Sequence, residues 1–291
     1  MPELPEVETV RRTLAAVLVG RTVGRVRVTR ADVVRGSAAP AALMAGRSVT
    51  AIHRHGKQLA IVAGESADDG PAIGVHLGMS GSMRYHGRET NGNGVAHVHV
   101  AWLLDDGGRV EFRDPRRFGG LWTYPTFTEL RERRWAALGP DALSVAPRRL
   151  HAALARTSRA IKAALLDQQV VAGLGNIYVD ELLHAAGVHP LTPANNLALP
   201  QIQSLVRRMR TLLNRAIDAG GSTLRDYVDG AGQPGGFQLR HRVYGRGGQS
   251  CRRCRGPLDQ AVIAGRTTTF CPACQRTNNE IKKASRLSRM S

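Results

Sequence analysis

The first eight residues, Met1-Pro2-Glu3-Leu4-Pro5-Glu6-Val7-Glu8, hold a latent nucleophile and an acid side by side. Removal of Met1, which a small second residue permits, would turn Pro2 into a secondary amine at the chain terminus beside the Glu3 carboxylate. An α-amino group titrates near pH ~7.7–8.0, so part of it is neutral in the cell and able to attack a carbon to give a covalent intermediate. A lysine amine, near pH ~10.4, needs its surroundings to reach the same state. Read alone, the stretch also suits a helix start without chemistry. Pro5 fits the first helical position, Glu6 and Glu8 suit the positive end of the dipole, and Val7, Val10, Leu14, Val17 and Leu18 trace one face toward Gly20.

Cys251, Cys254, Cys271 and Cys274 give Cys-x2-Cys-x16-Cys-x2-Cys, the spacing of a four-cysteine ribbon that closes a tetrahedron of thiolates around one structural zinc. Between the pairs, Gly265 to Phe270 can form a hairpin with Arg266 at its tip, either a phosphate probe or an exposed arginine. Gly173-Leu174-Gly175-Asn176 precedes a helical pattern; its backbone amides, with Asn176 as cap, could hold an anion or simply cap the helix. Asp114-Pro115-Arg116-Arg117-Phe118-Gly119 and Gly78-Met79-Ser80-Gly81 lie at strand ends. They could supply a wedge for the hole left when a base leaves its stack, or be ordinary packing. His97 and His99 alternate with valines and are expected on one face of a strand.

These residues need a scaffold, and the hydrophobic period supplies one. Alternation at Val23 to Val28, Val49 to Val62, Ile73 to Tyr85, His97 to Glu111 across an Asp105-Asp106-Gly107-Gly108 turn, and Gly119 to Tyr124 predicts a mainly antiparallel β domain. Ala38 to Ala45 and Gly64 to Gly70 read as connections. Helical spacing follows at Glu129 to Leu138, Arg148 to Arg156, Ala160 to Gln168, Ile177 to Ala186 and Leu199 to Ala219. Val228 to Phe237 is glycine-rich and reads as a mobile loop. The fold class is therefore α+β and multidomain, an antiparallel β-sandwich with a flanking helix, then a helical domain, then a zinc ribbon. The expected divisions are 1–130, 131–240, 241–276 and a disordered basic tail at 277–291.

The 291 residues carry 41 basic and 23 acidic side chains, a formal net charge of +18. Such an excess points to a polyanion, with nucleic acid ahead of a membrane surface. Of the basic residues 37 are Arg and four are Lys, at 57, 162, 282 and 283. In a chain so biased toward Arg, Lys57 and Lys162 are candidates for work that needs a compact amine. No signal peptide or membrane span is apparent and all cysteines fall in the ribbon, so a soluble protein in the reducing cytoplasm is expected.

Taken together these motifs resemble the bacterial formamidopyrimidine-DNA glycosylase family, the helix-two-turn-helix class of base-excision repair enzymes. The likeness runs from Pro2 to about Gln275. It rests on Pro-Glu-Leu-Pro-Glu-Val-Glu, His55-Gly56-Lys57, His76 to Gly81, Asp114 to Gly119, Gly173 to Tyr178, Tyr244-Gly245-Arg246, and the ribbon with Arg266. The resemblance implies a bifunctional glycosylase and abasic-site lyase acting as a monomer on damaged duplex DNA, and so at the nucleoid. Pro2 would be the nucleophile and Glu3 the acid that opens the sugar. Lys57 would transfer a proton or contact phosphate, and Arg266 would serve the second elimination. Glu6 would support the pocket, and His97, Arg116 and Asn176 would contact DNA. Met79, Arg116 and Phe118 would fill the gap and meet the orphaned base.

Where the family often places a basic phosphate contact, this chain has Thr157, flanked by Arg156 and with Arg159 nearby, so a neighbour must supply the charge. Pro-Glu-Leu-Pro-Glu, rather than the Pro-Glu-Gly-Pro-Glu common in the endonuclease VIII branch, implies oxidised purines as substrates. An oxidised-pyrimidine glycosylase of that branch is the alternative. From another class stands a damaged-DNA-binding module without catalysis, against which the presence of Pro2, Glu3, Lys57 and Arg266 together argues.

Overall fold

The computed structural model of the chain describes residues 2–65, 70–88 and 96–276. It divides into two compact units, Met1–Ala137 with Ala216–Gln238, and Leu138–Arg215 with Leu239–Ser291. The expected tail at 277–291 and part of the 64–70 connection lie outside the described residues.

The first unit opens on helix α1 (Leu4–Leu18), whose N-cap is Glu3 rather than the residue before Pro5, so Pro5 falls at the second helical position. A sandwich of two sheets follows. One sheet has the order β1-β7-β8-β6 (Val23–Val28, Val98–Leu104, Arg109–Arg113, Ser82–His86). The other has the order β2-β9-β5-β4-β3 (Val34–Arg35, Gly120–Tyr124, Ala72–His76, Gln58–Ala63, Val49–His55), antiparallel except for the short β2–β9 pair. Val7, Val10, Leu14 and Leu18 of α1 join Ile61, Ile73, Val75, Trp102, Phe112 and Leu121 in one core. Each such side chain contributes about 1.5–3 kcal/mol by leaving water. Strand β4 is apolar without alternation because Leu59 and Ile61 face that core while Ala60 and Val62 pack on Phe127 and Leu130. Those two residues belong to a short helix α2 (Phe127–Leu130) that continues as a π-helical turn over Arg131–Trp135.

Alternation also fails at the start of β7. His97 precedes β7 with φ 69° and is exposed, while His99 is buried and its Nε2 meets the Asp114 carbonyl at 2.9 Å. A register shift between Val98 and Val100 inserts a residue, so the two histidines do not share a face.

The second unit contains α3 (Pro147–Ala155), α4 (Ile161–Leu166), α5 (Asn176–Ala186) and most of α6 (Leu199–Asp218), and the hairpin β10–β11 (Asp259–Ile263, Arg266–Phe270). The hairpin turns on Ala264 and Gly265, both at positive φ as a two-residue turn requires. The expected mobile loop at 228–237 is instead tied down. The Asp229 carboxylate accepts from the Ala231 and Gln233 amides, Thr13 Oγ1 accepts from Gly230 N at 2.9 Å, and the Gly230 carbonyl accepts from Tyr85 N at 2.8 Å. Glycine freed this segment from regular structure, and polar side chains then fixed it.

Candidate active site

Pro2 and Glu3 lie buried at the start of α1, Glu3 only 3 % exposed. Glu3 and Glu6 form a capping box, each side chain accepting from the other's backbone N–H, with Glu3 N to Glu6 Oε2 at 2.8 Å. The second Glu6 oxygen accepts from Ser222 N at 2.7 Å, and the Glu6 carbonyl accepts from Tyr227 Oη at 3.1 Å. Gly221 runs so close to Glu6 that an added Cβ would lie 2.9 Å from its Cγ. Glu6 thus ties the first turn of α1 to the segment 219–238.

Lys57 occupies the two-residue turn between β3 and β4 and is itself buried. Arg54 holds this turn to α1, since its Nε donates to Glu8 at 3.0 Å and its Nη1 to the Gly56 carbonyl at 3.0 Å. Glu8 also receives Arg11 and Arg12. Burial works to raise the Glu8 carboxyl, but these three guanidinium groups hold it at about 2. Beside Lys57, burial pushes the His76 imidazole down to about 4, helped by the positive charges of Arg134 and Lys57. The neutral ring accepts from Gly78 N at 3.2 Å.

From His76 the chain enters the loop 77–81, pressed against the loop 114–119. An added Cβ on Gly78 would meet Gly119 N at 2.4 Å, and one on Gly119 would meet the His76 carbonyl at 2.4 Å. Asp114, fully buried, joins the two loops: one carboxylate oxygen accepts from Ser80 Oγ at 2.6 Å and the other from Gly119 N at 2.7 Å. This rigid base presents Met79 at 45 % and Phe118 at 55 % exposure, with the Arg116 guanidinium 4.5 Å from the Phe118 ring centre. The sequence singled out Met79, Arg116 and Phe118 and put Glu8 at the helix dipole, but it did not show that Asp114 joins the two loops or that Arg54 and Glu8 brace the Lys57 turn. The one local signal was an Asp-Pro pair at a strand end.

In the second unit the helix-two-turn-helix is braced by Gln168, whose side chain donates to the Leu166 and Leu174 carbonyls and accepts from Gly173 N. Asn176 is not the cap of α5. Gly175 is, and Asn176 at the first helical position donates to the Thr267 carbonyl at 3.0 Å. Lys162 is no reactive amine either: it is fully buried and paired with Asp180 at 2.6 Å. Burial pushes the Asp180 carboxyl up to about 6, against the opposing pull of Lys162 and the Thr269 N–H. Thr157 Oγ1 accepts from Arg159 Nε at 3.2 Å, and Arg159 pairs with Asp167 at 2.9 Å. Arg266 is exposed beside the hairpin turn. The four cysteine sulfurs lie within 4.8 Å of one another, as a tetrahedral site with Zn–S of about 2.3 Å demands. They hold one structural zinc. Among the described residues no helix is long and apolar enough to cross a membrane.

Comparison with known proteins gives the same order of parts. The formamidopyrimidine-DNA glycosylase N-terminal domain matches residues 1–121, the H2TH domain of the same enzymes 138–228, and a zinc finger found in FPG and IleRS 248–277. A formamidopyrimidine-DNA glycosylase of Bacillus subtilis is 41 % identical over 280 residues, covering 94 % of this chain and 99 % of that one. The chain belongs to the formamidopyrimidine-DNA glycosylase family. Two solved structures of Lactococcus lactis members superpose with TM-scores of 0.84 at 32 % identity. One is a variant bound to DNA containing Fapy-dG, covering 94 % of this chain and 100 % of that one. The other is a complex with DNA containing an abasic site, covering 94 % and 99 %.

Proposed function

We propose that the protein excises oxidised purines, such as 8-oxoguanine and formamidopyrimidines, from duplex DNA, and cleaves the abasic strand through the same covalent intermediate. The observation that carries this reading is the start of α1, where a buried Glu3 is locked beside Pro2 by Glu6. With Met1 removed, the neutral Pro2 amine attacks C1′ and the bond to the base breaks. Glu3 protonates the ring oxygen, the sugar opens, and the nitrogen becomes an iminium with an obligatory positive charge. That charge acidifies C2′–H. Loss of this proton expels the 3′ phosphate, and loss of the C4′ proton then expels the 5′ phosphate.

Lys57 assists proton transfer or holds phosphate, and Arg266 serves the second elimination. Arg116 and His97 contact DNA, as do Asn176 and Thr157, the last through the guanidinium of Arg159 that it holds. Met79 and Phe118 enter the vacated stack, where a flipped base costs a few kcal/mol of lost stacking. The reading takes the protein to be a monomer that works on chromosomal DNA in the cytoplasm. The test is product analysis on duplexes with 8-oxoguanine or an oxidised pyrimidine. Preferred release of the purine, leaving phosphate at both ends of the gap, is expected. Preference for the pyrimidine would place the protein in the endonuclease VIII branch.

A further inference from the structure

Among the described residues no strand lies beside the outer edge of β11, yet its backbone is paired. Side chains of α4 and α5 take the place of a third strand. The Thr269 N–H donates to Asp180 Oδ2 at 3.0 Å, and the Thr267 carbonyl accepts from Asn176 Nδ2 at 3.0 Å and from Lys162 Nζ at 3.5 Å. The other Asp180 oxygen takes Lys162 Nζ at 2.6 Å, which links the contacts into one buried network. Lys162 is 0 % and Asp180 2 % exposed. Arg266 is the residue next to Thr267. A buried ion pair is weak evidence for stability, since an apolar pair of similar volume often serves as well. What this pair supplies that an apolar one cannot is a fixed height and register for the hairpin on the helix.

We propose that Asp180 and Lys162 are positioning residues that set Arg266 against the N-terminus of α5. Their work is felt in the second elimination and not in base release. The inference rests on the role assigned to Arg266 above. Displacement of a reacting group by about 1 Å can cost ~100-fold in rate, so loss of the anchor should be plain in that step.

The test uses the full-length zinc-loaded protein with two paired substitutions. Lys162→Met with Asp180→Leu removes both charges and the acceptor for Thr269 N–H. Lys162→Met with Asp180→Asn removes the charges and keeps an acceptor. The first pair should retain base release within about twofold and lose at least about tenfold in the ratio of second to first elimination. The second pair should regain most of that ratio. A ratio unchanged in the first pair, or lost equally in both, would overturn the proposal. If the first pair does not fold, amide exchange in the unaltered protein decides: Thr269 N–H must be as protected as the core of α5, and rapid exchange there contradicts the anchor. Failure of the unaltered protein to nick damaged DNA would instead remove the assignment of Arg266, leaving the exchange result to stand on its own.

Discussion

Glu6 shows how much one carboxylate can be asked to do. It caps α1 for Glu3 with one oxygen and holds Ser222 with the other. Replacing it by Ala would leave both N–H groups without their acceptors, at about 1–3 kcal/mol each if they stay buried. Glu6→Ala should therefore slow single-turnover base release by at least about tenfold while DNA affinity changes far less; equal losses in both would show that Glu6 acts only on folding. Glu3→Gln should bind damaged DNA and release little base, because the amide has no proton to give the sugar oxygen. Normal release by that variant would take Glu3 out of the chemistry. Both residues stand out in the sequence, Glu3 beside the terminal amine and Glu6 at the positive end of a helix, but the capping box that joins them does not, because it puts Glu3 and not the residue before Pro5 at the N-cap. Ser222 does not, because its contact spans 216 residues with no local pattern to mark it.

At the level of elements, what was legible was whatever a period of two or 3.6 can carry. Apart from the two-residue β2, which the spacing does not show, and the helix expected over 129–138, which is a four-residue α2 and a π-helical turn, the strands, the five longer helices and the ribbon hairpin occur where hydrophobic spacing and turn residues place them. The bulge at Val98–Val100, the pinned segment 228–237 and the pairing of Lys162 with Asp180 depend on partners distant in sequence, and no local period encodes them. The brace of the Lys57 turn on α1 is of the same kind and gives a pH prediction. Glu8 titrates at about 2 when folded against an ordinary 4.5. Its contribution to stability is therefore complete above about pH 4.5 and disappears as pH falls toward 2. The difference in melting temperature between the unaltered protein and Glu8→Gln should be largest near neutral pH and close over that window. A constant gap down to pH 2 would mean that Glu8 does not act through its charge. The pair of loops 77–81 and 114–119 is a second such element. Asp114→Ala leaves Ser80 Oγ and Gly119 N without their acceptor and should loosen Met79 and Phe118. Excision of a paired lesion should then suffer at least about tenfold more than nicking of a preformed abasic site, where less stacking must be replaced.

Across the whole molecule, 41 basic residues on a chain of net charge +18 should give phosphate contacts much of the affinity, so binding is expected to fall steeply and linearly in log–log form with salt. The ribbon adds a metal to this balance. Its four cysteine sulfurs are brought together by the fold, so a metal that binds this arrangement in preference to the unfolded chain adds its binding free energy to folding. Chelation should weaken DNA binding, and unchanged affinity after verified zinc loss would show that the ribbon is dispensable. The chemistry itself turns on a single nitrogen, that of Pro2. Borohydride reduction of the protein, freed of Met1, on duplex DNA with 8-oxoguanine opposite cytosine tests it most directly. A covalent adduct that maps to Pro2 and is absent when Met1 is retained is the expected result. An adduct at Lys57, or none on this duplex, on an oxidised pyrimidine or on an abasic site, would contradict it.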